Sequence, residues 1–199
     1  MVAHKASGPT KHGHAQRWRM YRQLMWSVLT VVVCAGSLVI LSCGGDDDDT
    51  EQLSANLTGT QEVPPNTSAA AGTATLNINE DRTRIDFTLN VSTTLQDIRE
   101  AHIHISPPGV NGPIVLDFCT NLGTPPAGVP PPPPCPPAPF TLTGTLTEAN
   151  LRPLTDAIQA VGVNNFADAV TQILNGNAYA NVHTTAFRGG EIRGQLVKQ

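Results

Sequence analysis

The run Ile85-Asp86-Phe87-Thr88-Leu89-Asn90-Val91 places an apolar residue at every second position with a polar one between. Successive side chains of a strand point to opposite faces, so this alternation describes a strand with one buried and one wet side. The same pattern recurs outward along the chain. Leu53, Ala55 and Leu57 alternate with Ser54, Asn56 and Thr58; Ala74, Leu76 and Ile78 follow suit, as do Ala101, Ile103 and Ile105. Segments 113–118, 140–146, 178–184 and 190–197 bring the expected total to about eight strands. Strict alternation suits antiparallel sheets with one covered face. The expected fold is therefore mainly β, an antiparallel β-sandwich or barrel-like domain of about eight strands. Composition agrees: charged residues are 14%, aromatics 5%, and there are 17 Gly and 17 Pro, a mixture for short strands and many turns.

One late segment changes period. In NNFADAVTQILNGN, Phe166, Val170, Ile173 and Leu174 form a helical stripe. Asn165, with Asp168 three residues on, predicts an N-cap, and Gly176 a stop. A second short helix is expected over 148–158, so one or two short helices lie between the late strands. Between Cys119 and residue 139 the chain is Pro-rich. Polyproline makes no internal hydrogen bonds, so this segment reads as a stiff loop. In an oxidising compartment Cys119 and Cys135 are expected to close it as a disulfide, against the alternatives of a free thiol pair or a metal site.

The N-terminal part carries an address. Residues 24–41 are an apolar run preceded by Arg17, Arg19 and Arg22, the layout of a secretory signal. Ile40-Leu41-Ser42-Cys43 resembles a bacterial lipobox, in which the cysteine is acylated and becomes the mature N-terminus. The expected organisation is a lipoprotein signal peptide over 1–42, lipidated Cys43 with an acidic tether over 43–51, and a β domain over 52–199. The alternative is an uncleaved membrane span, since 18 apolar residues suffice to cross a bilayer. Met20 offers a second start that would give a shorter leader. The expected location is the cell envelope, anchored to membrane by lipid, with outer membrane favoured over inner in a Gram-negative host because Gly44, not Asp, follows the cysteine.

Charge excludes one class of partner. The five basic residues Lys5, Lys11, Arg17, Arg19 and Arg22 precede Cys43, and removing them leaves 7 basic against 16 acidic residues, a formal −9. Nucleic acid is not an expected partner, because its binders need a basic footprint. Nor is there a nucleophile elbow, phosphate-binding loop, dinucleotide fingerprint or zinc-protease helix. Hydrolase catalysis has no positive support, and no catalytic residue is assigned.

Four ordered motifs carry more information. They are Gln61-Glu62-Val63-Pro64-Pro65; His102-Ile103-His104 followed by Gly109, Gly112 and Pro113; Asn181-Val182-His183-Thr184; and Gly190-Glu191-Ile192-Arg193-Gly194-Gln195. Together, from about Leu53 to Val197, they closely resemble the CHRD (chordin-like) domain family. Here ANVHT stands where that family usually reads VNVHT, and the Cys119–Cys135 insert is an addition to its common pattern. The resemblance implies a β-sandwich-like domain of extracellular proteins, commonly secreted or lipid-anchored in bacteria. It implies little chemistry.

Beyond the leader the histidines are His102, His104 and His183. Residues two apart in a strand share a face, so His102 and His104 lie together, opposite Ala101, Ile103 and Ile105. If Val182 points inward, Tyr179, Asn181 and His183 point outward, and all three imidazoles fall on one outer face beneath the loops. Two readings stay open. Three neutral imidazoles around one point make a copper or zinc site with an open position. The His-x-His on such a face also resembles copper/zinc superoxide dismutase, although the ligands of that enzyme's second metal site have no visible counterparts. Alternatively the imidazoles join Glu62, Glu100, Glu191 and Arg193 in a hydrogen-bond network that pins Gly-rich loops to the sheet. Arg188 to Glu191 reads as a tight hairpin turn flanked by an exposed ion pair, and Glu62 is expected to face a cation. The functional expectation is a non-enzymatic envelope module that binds a protein or matrix partner. The alternative is a metal-binding domain in copper or zinc handling or redox protection.

Overall fold

The computed structural model describes residues 50–92, 95–123 and 127–199. The expected signal peptide 1–42, Cys43 and the tether up to residue 49 lie outside the described residues. Strand β1 (Glu51–Thr58) starts one residue before the expected domain boundary. It pairs antiparallel with β2 (Ala71–Ile78), in unbroken register from Glu51 opposite Ile78 to Thr58 opposite Ala71. Strand β2 pairs with β3 (Ile85–Val91), and β3 with β6 (Phe140–Leu146). On the other side stand β4 (Ile98–Ile105), β5 (Ile114–Thr120), β7 (Ala178–Thr184), β8 (Ile192–Gln195) and the short β9 (Val197–Lys198). The strand order is β5-β4-β7-β8-β1-β2-β3-β6, with β9 added beside β1. One antiparallel sheet thus curls into a nearly closed barrel, rather than two sheets facing each other.

The alternating apolar residues fill the inside of that curl. Leu53, Leu57, Leu76, Ile78, Ile85 and Leu89 from one half are fully buried, as are Ile103, Ile105 and Ile192 from the other. Each such side chain contributes about 1.5–3 kcal/mol of transfer free energy when buried. Strands β4 and β5 break this regularity. Their register shifts between Ala101 and His102 and again between Ile103 and His104, so β5 carries extra residues at Phe118 and Val115. Such bulges twist a strand and re-aim its side chains. Here they lie at the two histidines.

The late helices are α1 (Asp156–Ala160) and α2 (Phe166–Leu174). As expected, Asn165 caps α2 by accepting from the Asp168 amide at 2.8 Å, and Gly176 takes a left-handed φ of +77° just past its end. The helix expected over 148–158 is corrected. It divides into a 3-10 turn, Glu148–Asn150, and α1, because Pro153 disfavours helical backbone in the residue before it. Instead, Leu151 bridges to Leu116, and the Arg152 amide donates to the Val115 carbonyl, stitching this loop to the β5 edge.

Cys119 and Cys135 form the expected disulfide. Both are buried, and the Asn121 side chain ties the returning chain to the strand ends through Ile98 O, Cys135 O and Cys135 N. Cross-linking positions 16 apart limits the unfolded chain by about 3 kcal/mol. The double variant Cys119→Ala/Cys135→Ala is expected to lose about that much in urea unfolding. An unchanged midpoint would mean that the proline loop stays closed without the bridge.

Candidate metal centre

Strands β4 and β7 set Glu100 opposite His183, His102 opposite Asn181 and His104 opposite Tyr179. All six side chains therefore share one face, while Ala101, Ile103, Ala180 and Val182 point into the barrel core. The face was expected to be outer, and here the structure adds a correction. Every residue of β7 is buried, and His102, His104 and His183 are 0%, 8% and 7% exposed. Loops roof this part of the sheet and make a second, polar interior.

Glycines let the roof come close. A Cβ at Gly112 would collide with the Ile105 carbonyl, and one at Gly190 (φ +126°) with the Glu62 carboxylate. At this distance the Gly112 carbonyl oxygen meets His104 Nδ1 at 2.9 Å, and the Gly112 amide donates to the Tyr179 hydroxyl oxygen at 3.2 Å. The Arg188 carbonyl oxygen meets His183 Nδ1 at 3.0 Å in the same manner. A carbonyl oxygen can only accept, so each Nδ1 carries the proton. Burial, and secondarily the neighbouring His102, pushes the His104 pKa down to about 3 and that of His183 to about 4, against the opposing pull of the two carbonyls. Both rings are therefore neutral at ordinary pH, and each Nε2 carries a bare lone pair.

Among the described residues those lone pairs have no donor. Nε2 of His104, Nε2 of His183 and both ring nitrogens of His102 are buried without a hydrogen-bond partner. His102 Nε2 lies 3.0 Å from Glu100 Oε2, close enough for an ion pair but outside good hydrogen-bond alignment. This neighbour, opposed by burial, holds the Glu100 carboxyl below the usual carboxylate range. One nitrogen from each ring lies within 4.8 Å of the others. Ligands at 2.0–2.1 Å from one tetrahedral ion sit about 3.4 Å apart, so an ion would draw the rings inward by about 1 Å. At His104 and His183 one nitrogen is turned to a carbonyl and one left bare, whereas both nitrogens of His102 lack a hydrogen-bond partner.

A layer of aromatic and cationic groups backs the rings. Tyr179 stacks on His104 with centroids 4.6 Å apart and planes 7° from parallel, and the Arg193 guanidinium carbon lies 3.4 Å above the other face of Tyr179. Arg193 also donates to Asn111 Oδ1 and to the Val110 carbonyl, which anchors the loop over His104. Glu62 faces a cation as expected but has a closer partner, and the exposed Arg188–Glu191 pair is corrected. Glu62 accepts directly from the neutral Asn181 amide at 2.7 Å, with Arg193 acting at longer range. Glu191 is buried, not exposed, and accepts from Ser68 Oγ and Thr184 Oγ1 instead of pairing with Arg188. In both cases the roof removes the carboxylate from water, and nearby hydroxyls or amides satisfy it.

The family model of the CHRD domain matches residues 53–196. The chain belongs to the CHRD domain family. No curated protein and no solved structure matches it.

Within this CHRD domain, sequence reasoning missed one pair. Asp117, on β5 opposite His102, is buried and held bidentately by Arg152 at 2.9 and 2.6 Å. Its oxygen lies 3.8 Å from His102 Nε2. The available signal was an acid inside the apolar run Ile114-Val115-Leu116-Asp117-Phe118. Tyr179 was placed on the right face by its spacing from His183, but its stacking was not foreseen.

Glu62 carries a pH prediction. Burial, opposed by the Asn181 hydrogen bond and Arg193, raises its pKa from 4.5 to about 7. The folded chain holds a proton that the unfolded chain releases, so this stabilisation is complete below about pH 4.5 and lost as pH rises through about 7. Relative to Glu62→Gln, wild-type stability in urea should fall on the order of 2–3 kcal/mol between pH 4.5 and 7.5. A difference independent of pH would show that Glu62 has the same pKa in the folded and unfolded chain.

Proposed function

We propose that this CHRD domain is a non-enzymatic binding module whose bound species is a copper or zinc ion, held by His102, His104 and His183. One observation carries the reading: three buried imidazoles, each with a nitrogen that lacks a hydrogen-bond partner, bring one ring nitrogen apiece within 4.8 Å of the others, while backbone carbonyls fix Nδ1 of two of them. An unsatisfied buried acceptor costs about 1–3 kcal/mol. Several at one point make sense if a cation completes them. Metal-bound histidines usually turn the other nitrogen to a carbonyl or carboxylate, which fixes tautomer and ring orientation. Imidazole donors suit zinc and copper, and no thiolate is at hand because both described cysteines are in the disulfide. A bound ion would join β4, β7 and the two roofing loops.

The test uses the full chain, produced with its own leader in a bacterial host, extracted in mild detergent and free of any histidine tag. Elemental analysis should find close to one copper or zinc per chain, or the chain should take up one equivalent when titrated. A metal-free chain that refuses both ions would make the histidines structural and return the search to protein or matrix partners. We further propose that Cys43 anchors the module to the envelope. Metabolic labelling with an alkynyl fatty acid should mark the wild type and not Cys43→Ser; equal labelling of both would remove the anchor.

A further inference from the structure

The three rings of the proposed centre are not equivalent, and the difference lies on β4. His104 and His183 each turn Nδ1 to a backbone carbonyl, which leaves Nε2 for an ion. His102 sits between them, its ring centroid 4.9 Å from that of His183 and 5.5 Å from that of His104. Among the described residues no carbonyl reaches it; its Nε2 instead faces acids, Glu100 at 3.0 Å and Asp117 at 3.8 Å. The two acids differ. Both oxygens of Asp117 are engaged by Arg152. Glu100 has no such cation within ion-pair distance among the described residues, and the period of the strand puts its carboxylate beside the His102 ring.

We propose, resting on the metal reading above, that Glu100 is the positioning residue of this centre: its carboxylate takes the N–H of His102 Nε2, so His102 binds through Nδ1 while His104 and His183 bind through Nε2. The assignment gives all three rings the same logic, one nitrogen donating outward to oxygen and the other facing the ion. It also explains an acid in a roofed strand two residues before the first ligand. The carboxylate further compensates the charge of a cation, which imidazole donors do not. Side-chain exposure of 21% at Glu100, against 0% at His102, marks this acid as the part of the site nearest to solvent.

Zinc is the probe, because it is diamagnetic. In the full chain, 15N-labelled at histidine, long-range proton–nitrogen spectra of the zinc-loaded form should show His102 protonated at Nε2 and metallated at Nδ1. His104 and His183 should show the reverse. Glu100→Ala should weaken zinc binding about 10–100-fold, with Glu100→Gln, which keeps an acceptor oxygen, falling between. The thermal midpoint of the metal-free variants reports folding separately. Metallation of His102 at Nε2, or zinc affinity within twofold of wild type in a folded Glu100→Ala, overturns the assignment and leaves the three-histidine reading standing. Failure of the wild type to bind zinc or copper overturns both.

Discussion

Replacing His104 with alanine is expected to remove most of the stabilisation that copper or zinc confers on the wild type, while changing the metal-free protein less. An ion that binds only the folded chain stabilises it in proportion to its excess over the dissociation constant, about 4 kcal/mol at a thousandfold excess. For a domain of this size that is about 8–16 °C in thermal midpoint. In the proposed centre His104 would supply one of three nitrogens, and its removal would leave two ligands on rings that lie on different strands. Affinity should fall at least about 100-fold, and the shift in midpoint should shrink to about a third or less at the same metal concentration. The metal-free comparison discriminates. Without an ion, His104 contributes a hydrogen bond to Gly112 and a stack on Tyr179, but it also holds a buried nitrogen with no partner. These contributions oppose each other, so the metal-free variant should differ from wild type by about 1–2 kcal/mol. Thermal unfolding with and without metal checks both parts. Equal stabilisation of variant and wild type would place any bound ion elsewhere.

The second large effect belongs to the Asp117–Arg152 pair. Asp117 is 5% exposed and Arg152 23% at the side chain, and the fork of the guanidinium covers both carboxylate oxygens. Arg152→Ala leaves a carboxylate without its cation under the loop that follows β6. Breaking a pair in this way typically costs about 3–5 kcal/mol, far more than the pair itself is worth. The double variant Asp117→Asn/Arg152→Met removes the stranded charge and should recover much of the loss. Urea unfolding of the three proteins measures the difference. A loss under about 1 kcal/mol in Arg152→Ala would mean that water screens the pair as it does at an open surface.

The barrel was legible because its strands alternate so regularly. Leu53 to Leu57, Ala74 to Ile78 and Ile85 to Val91 each commit one face to the core, and their register follows. The α2 cap was legible for a similar reason, since Asn165 and Asp168 act within one turn. Closure into one curled sheet was not, because it depends on β8 meeting β1, residues far apart in sequence. At the site, periodicity was enough to place His102, His104 and His183 on one face. It could not show that the face is roofed, because the roof comes from backbone that approaches at Gly112 and Gly190. Glu62 does face the cation Arg193, but its closer partner Asn181 was not foreseen, and the partners of Glu191 were misjudged: once water is excluded, a nearby amide or hydroxyl is as available as a distant cation. Asp117 was hidden by its bulged strand, where period two no longer tells inward from outward.

The central claim is that one ion meets three imidazoles. X-ray absorption at the copper or zinc edge of the loaded full chain tests it most directly. The account predicts a first shell at about 2.0–2.1 Å containing three nitrogen donors, with the outer-shell scattering of three imidazole rings, falling to two in His183→Ala. A first shell made of sulfur, or of oxygen without imidazole scattering, would contradict it. So would a spectrum unchanged in the variant.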